Sequence, residues 1–186
     1  IIGGVDTLKE NNELLTTKNR DELLIELEHA GTRLNRQVEN LLNMSRIENG
    51  MLKIKKDWTD INELLFGLIQ QFSNYNSHQI IFIPQEDLPL IKIDRGLIEN
   101  ALQNILLNAI IYTPALSKIY LNVEIDSDEI NIHVIDEGSG FPEELIEMAF
   151  NKFYRLPNSS TGGTGLGLSI VKGFVEAHEG KVKLKN

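Results

Sequence analysis

The sequence predicts an α-helical hairpin followed by an α/β domain with a mostly antiparallel sheet. Two observations carry this. A 3.6-residue apolar periodicity runs unbroken near the N-terminus, and shorter stretches of alternating and helical pattern follow it. A third observation bears on chemistry: three short segments rich in asparagine or glycine lie among those later stretches.

The 186 residues suit one to two domains. Hydrophobic residues at 41% and charged residues at 24% exclude a disordered tail or a fibrous repeat. Eighteen basic residues against 27 acidic ones leave a net charge of −9. Such a chain repels phosphate backbones, so nucleic acid is not expected as a partner, although a local basic pocket can still hold one phosphate ligand. There is no cysteine, which removes disulfides, zinc–thiolate sites and a cysteine nucleophile. No apolar run approaches the roughly 18 residues that cross a bilayer, and the start carries no secretory leader pattern. The piece is expected to be soluble and cytosolic.

Residues 20–48 contain no proline and one glycine, Gly31. Leu23, Leu27, Ala30, Leu34, Val38, Leu41 and Leu42 recur at steps of three and four, on one helical face. A helix of about 29 residues is over about 40 Å long and needs a neighbour along its stripe. Ile1, Ile2, Val5 and Leu8 supply a shorter helix before it, and polar residues 11–19 suit the connection. The two read as a hairpin with a shortened first arm. Pairing two hairpins into a four-helix bundle would cover the remaining apolar surface; an arm packed on its own domain is the plainer alternative.

Asn49 and Gly50 end the long helix. Residues 51–55 alternate and predict a strand. Residues 61–72 predict a helix capped by Asp60 or Thr59. Residues 80–83 and Ile91–Ile93 read as short strands. Residues 97–111 read as a helix capped by Asp94, with Ile98, Ala101, Leu102, Ile105 and Ala109 as its buried stripe. Residues 119–125 and 130–135 form a hairpin through residues 126–129. Residues 142–150 predict a short helix with proline in its first turn. Residues 166–178 predict another, ended by Gly180, and 181–184 begin a further strand.

Asn100, Asn104 and Asn108 share a face of the 97–111 helix. Asparagine is a poor interior helix residue, so three in register need a reason. Amide oxygens suit a hard cation such as Mg²⁺; a solvated polar face is the alternative. Asp136-Glu137-Gly138-Ser139-Gly140 follows a strand. Its glycines permit a sharp turn close to a ligand, and Asp136 could accept from an exocyclic amine; taken alone, a turn with an exposed aspartate is the plainer reading. Gly162-Gly163-Thr164-Gly165-Leu166-Gly167-Leu168-Ser169 opens a helix, where free N–H groups and the helix dipole favour phosphate. It ends without the Gly-Lys-Ser/Thr of a P-loop and lacks the early Gly-x-Gly-x-x-Gly of a dinucleotide fold. A flexible linker is the remaining alternative.

Taken together, the order and spacing resemble the sensor histidine kinases of two-component systems. Asn104-Ile105-Leu106-Leu107-Asn108-Ala109 resembles the N box, Asp136-x-Gly138-x-Gly140 the G1 box, Phe150-Asn151-Lys152-Phe153-Tyr154-Arg155 the F box, and the run from Gly163 to Lys172 the G2 box. The stretch from Asn40 to Gly50, with Trp58 beyond it, is similar to the potassium-responsive kinases of the family.

The resemblance implies a two-layer α/β sandwich that holds ATP under a lid at residues 156–161. Residues 1–50 would be the dimerisation and phosphotransfer hairpin, and residues 51–186 the ATP-binding domain. Asn108 would bind Mg²⁺, with Asn104 one turn away near metal and phosphates. Tyr112 would lie near the adenosine. Asp136 would bind the adenine amino group, with Gly138 and Gly140 shaping the pocket. Arg155 and Lys152 would face the phosphates. Gly163, Thr164, Gly165, Leu166, Gly167 and Leu168 would form the lid hinge and the phosphate-facing helix end. The γ-phosphoryl would pass to a bundle histidine and then to an aspartate of a response-regulator receiver domain. The fragment itself would touch no membrane, whereas its parent would be an inner-membrane sensor.

Three departures accompany the resemblance. The family's acceptor histidine precedes the segment matching Ile1-Ile2-Gly3-Gly4, and His29, His78, His133 and His178 read as structural or surface residues. The chain as given is therefore expected to bind nucleotide without phosphorylating itself. Ile111 stands where the N box usually carries lysine; one charge-assisted contact is worth about 1.5–3 kcal/mol, or one to two decades of affinity. The chain also stops before the family's last strand. Two alternatives follow: another ATPase of the same fold, or a degenerate nucleotide-binding or dimerisation module.

Overall fold

The computed structural model describes residues 2–10, 15–72, 77–127, 129–156 and 163–186. The expected lid beyond Leu156, together with Gly162 and Asp128, lies outside the described residues. The chain divides into two compact units, Ile1–Ser45 and Arg46–Asn186.

The first unit holds helix α1, Ile2–Glu10, and most of α2, Thr17–Glu48. The 32 residues of α2 start three residues earlier than the periodicity predicts, where Thr16 Oγ1 accepts from the N–H of Asn19 at 3.2 Å. The polar face is solvated. The apolar stripe is only half-covered: Leu34, Val38, Leu41 and Leu42 remain 47–53% exposed.

In the second unit a mixed three-stranded sheet has the order β2–β4–β5, with β2 Gln79–Phe82, β4 Lys118–Asp126 and β5 Glu129–Asp136. β4 and β5 form the expected antiparallel hairpin, whereas β2 runs parallel to β4. Strands β1, Asp57–Thr59, and β3, Ile91–Ile93, form a separate antiparallel ladder.

Helices α3, Ile61–Phe72, and α4, Arg95–Tyr112, cover one face of the three-stranded sheet. Ile119, Leu121 and Val123 alternate inward from β4 and meet Leu64, Leu65 and Leu68 of α3 and Leu102 and Leu106 of α4. The opposite face of β4 carries Asn122 and Glu124 in solvent. A fifth helix, α5, Gly167–Ala177, packs on α4 and buries Ile170, Val171 and Phe174.

Several expectations need correction. Residues 51–56 form no strand; the ladder falls at β1, because Trp58 and Thr59 have Lys92 and Ile91 as partners. Residues 181–186 are irregular, since none of the described strands pairs with them and alternation alone does not make a ladder. The expected helix at 142–150 is two 3₁₀ turns, Glu143–Leu145 and Glu147–Phe150. In α4 the fully buried position is Leu106 rather than Ile105, which is half-exposed, because the sheet and α3 lie on the Leu106 side.

Candidate functional site

Helix α4 is the backbone of the site. Its start is held at one residue, Asp94. Asp94 Oδ1 accepts from Leu97 N at 3.2 Å, and Oδ2 accepts from Lys55 N at 2.8 Å. The Asp94 N–H donates to His178 Nε2 at 2.9 Å, while His178 Nδ1 donates to the Phe174 carbonyl at 2.7 Å. His178 therefore ties the end of α5 to the start of α4, a structural duty as the sequence suggests.

The asparagine face of α4 is not a solvated stripe. Asn104 is 8% exposed, and Asn100 and Asn108 are half-buried. The Asn104 amide donates to the Asn100 carbonyl and to Asn100 Oδ1, both at 3.0 Å. Those bonds use the nitrogen and turn Oδ1 toward the first residue of α5. A Cβ added to Gly167 would lie 3.3 Å from that oxygen. Leu166, ahead of α5, makes no side-chain cap bond. The uncapped, positive end of α5 thus meets an amide oxygen of α4 across a narrow gap.

The loop after β5 lies against the other end of α4. The exposed Asp136 accepts from the Gly138 N–H at 2.8 Å through Oδ1. A Cβ on Gly138 would stand 2.7 Å from that oxygen, 3.3 Å from Thr113 Cγ2 and 3.5 Å from the Tyr112 carbonyl, so a larger residue there would have to displace the Asp136 carboxylate. Gly140 has φ +70°, and the Asn186 amide exchanges two hydrogen bonds with the Phe141 backbone, at 2.8 and 2.6 Å. Tyr112 is 44% exposed beside this loop.

The segment around Arg155 forms the third side. Phe153 has φ +61°, and Gly165 has φ +70°. A Cβ at Gly165 would meet the Phe153 carbonyl carbon at 2.6 Å and the Tyr154 oxygen at 2.8 Å. This glycine lets the backbone of the segment before α5 press against residues 153–154. Gly163 and Arg155 are exposed, Thr164 and Leu168 are half-buried, and Leu166 is fully buried. Leu166 therefore anchors the segment from below. Lys152 is held by Glu48 at 2.5 Å. Away from the site, the Glu63 carboxylate at 2.8 Å raises Arg95 above its ordinary range, so Arg95 stays charged throughout the working pH range.

Asn104, Asn108 and Tyr112 lie on α4, and the structure brings Gly167 at the start of α5 and Gly138, in the loop after Asp136, against that helix. Gly167 sits by Asn104, and Gly138 by Thr113, nine residues on and about 13 Å further along the axis. That span can hold an elongated ligand whose anionic end meets the start of α5. Sequence reasoning missed Thr113, which is 8% exposed and seats the 136–138 loop. Its only local signal is its place at the end of α4, before Pro114.

Comparisons with known proteins show the family. Residues 93–186 match the family described as histidine kinase-, DNA gyrase B-, and HSP90-like ATPase. The sensor protein KdpD of Clostridium acetobutylicum is 35% identical over 190 residues, covering 100% of this chain and 21% of that protein. The chain thus spans about a fifth of the length of that relative. The fold is that of the histidine kinase AdeS of Acinetobacter baumannii, with a TM-score of 0.68 at 22% identity over 94% of this chain and 81% of that one. A histidine kinase, ThkA, solved in complex with the response regulator TrrA, aligns with a TM-score of 0.68 at 23% identity over 98% of this chain and 52% of that one. The chain belongs to this ATPase family, and within it to the sensor histidine kinases.

Proposed function

We propose that this chain is the kinase core of a two-component sensor, binding Mg-ATP along α4 and donating its γ-phosphoryl to a histidine on a helical bundle. The observation that carries the reading is the convergence on α4 of a buried asparagine, an uncapped helix start and an exposed aspartate.

The residues fit the nucleotide. Asp136 accepts from the adenine amino group, while Gly138 and Gly140 keep the backbone low beneath the base. Tyr112 flanks the adenosine. Asn108, with Asn104 beside it, offers amide oxygens to Mg²⁺, which neutralises phosphate charge when bound. The first N–H groups of α5, from Gly167 and Leu168, receive phosphate oxygens, and Gly163, Thr164 and Gly165 lead the chain to that position. Arg155 adds a positive charge. Lys152, paired with Glu48, must exchange partners to do the same. Catalysis here is positioning and charge stabilisation.

The half-exposed stripe of α2 supports homodimerisation through a helical hairpin of residues 1–50, with residues 51–186 as the catalytic domain. The solved complex of ThkA with a response regulator supports a receiver domain as the acceptor that follows the histidine. Among the described residues no helix is long and apolar enough to cross a membrane; anchoring belongs to the parent sensor on this reading. A second reading, a degenerate nucleotide-binding module, is favoured by Ile111, which is 36% exposed on the asparagine face where a cation would serve the phosphates.

Calorimetric titration with ADP and AMPPNP, with and without Mg²⁺, separates the two. Micromolar, Mg²⁺-dependent binding that Asn108→Ala weakens tenfold, about 1.4 kcal/mol, supports the kinase core. No binding by the folded chain refutes it.

A further inference from the structure

Thr113 does more than end α4. Its hydroxyl lies 2.6 Å from the Ala109 carbonyl, which can only accept, so the hydroxyl proton is committed there. His78 Nε2 lies 2.9 Å from the same hydroxyl oxygen. With the Thr113 proton already used, this contact requires a proton on Nε2. The other ring nitrogen lies 2.9 Å from Ser77 Oγ, which can donate to it. The ring, with its proton on Nε2, thus fixes the Thr113 side chain, leaving its methyl against Gly138. Nearby, the Leu116 N–H donates to the Ser77 carbonyl at 2.6 Å and the Gln79 N–H to the Ser117 carbonyl at 3.2 Å, so His78 is held to the residues that follow α4.

We infer that His78 is a positioning residue of the nucleotide site: its Nε2–H bond to Thr113 fixes the seat on which the Asp136–Gly138 loop rests. His78 touches no nucleotide itself; it acts through Thr113 on the angle at which the Asp136 carboxylate meets the base. The inference rests on Asp136 binding the base, as proposed above. His78→Gln keeps an amide N–H near the Nε2 position, whereas His78→Phe keeps the ring shape without the donor.

The test has two parts. Long-range ¹H–¹⁵N spectra of the wild-type chain should show a proton on His78 Nε2. A proton on Nδ1 alone overturns the inference without any variant. ADP titrations should then show His78→Phe binding about tenfold more weakly and His78→Gln within twofold of wild type. The double variant with Thr113→Val should be no weaker than the worse single variant. Equal binding by wild type and His78→Phe, or equal loss in His78→Gln and His78→Phe, overturns it. Asp136→Asn, run alongside, separates the two levels. If Asp136→Asn costs tenfold and His78→Phe nothing, only the role of His78 falls. If Asp136→Asn also costs nothing, the base-binding reading of Asp136 falls with it.

Discussion

Gly165 offers the sharpest test of how the segment before α5 is built. An alanine there must hold φ +70°, where an L-residue costs about 1–2 kcal/mol. Its Cβ would also stand 2.6 Å from the Phe153 carbonyl carbon and 2.8 Å from the Tyr154 oxygen. Both are backbone atoms and cannot rotate aside, so relief requires moving residues 153–154 or the segment itself. Overpacking of that kind costs about 1–3 kcal/mol. Together the two effects predict a loss of about 3 kcal/mol, or about 10 °C in Tm for a unit of this size. Gly163→Ala is the internal control: among the described residues nothing lies within 4 Å of its added Cβ, and the change should stay within about 0.5 kcal/mol. Urea titration followed by fluorescence reads the right unit, because Trp58 is the single tryptophan and lies in Arg46–Asn186. If Gly165→Ala unfolds at the same urea concentration as Gly163→Ala, the close approach of residues 153–154 to Gly165 is wrong.

Two further expectations concern the scaffold. Asp94→Ala removes the acceptor of two backbone N–H groups, Leu97 and Lys55, and should lower stability by about 2 kcal/mol, seen as an earlier urea midpoint with unchanged slope. A loss under about 0.5 kcal/mol would show that water replaces both bonds. Lys152→Met breaks a pair whose side chains are 46% and 48% exposed, so stability should change by less than about 1 kcal/mol, and by less still in 1 M salt. A larger, salt-insensitive loss would mean that the lysine stem, not its charge, holds residues 150–156 in place.

Much of the architecture is local and was legible. α2 and α4 follow from unbroken periodicity, and the start of α4 from Asp94, whose short carboxylate reaches the Leu97 N–H of its own first turn. The β4–β5 hairpin follows from alternation on both sides of a polar turn. The glycine segments were legible because φ near +70° at Gly165 and Gly140 favours glycine, and at Gly165 an added Cβ would also meet backbone atoms closer than 3 Å. The asparagine face was visible, but its burial was not: periodicity shows that Asn100, Asn104 and Asn108 share a side, and only the arrival of α5 closes that side from solvent.

What tertiary structure alone decided is whatever depends on residues far apart in the chain. The parallel pairing of β2 with β4 joins Gln79 to Lys118, and no local pattern specifies a partner or a direction. The strand at Asp57–Thr59 rather than 51–55 was decided by β3, which supplies its ladder. Lys152 meets Glu48 across 104 positions, and His78 meets Thr113 across 35. The sequence by itself determined which segments form helices, hairpins and tight glycine turns, because those preferences act over a few bonds. It left open which side chains meet, because hydrogen bonding and close packing act only at contact, and contact between distant residues exists only once the chain has folded.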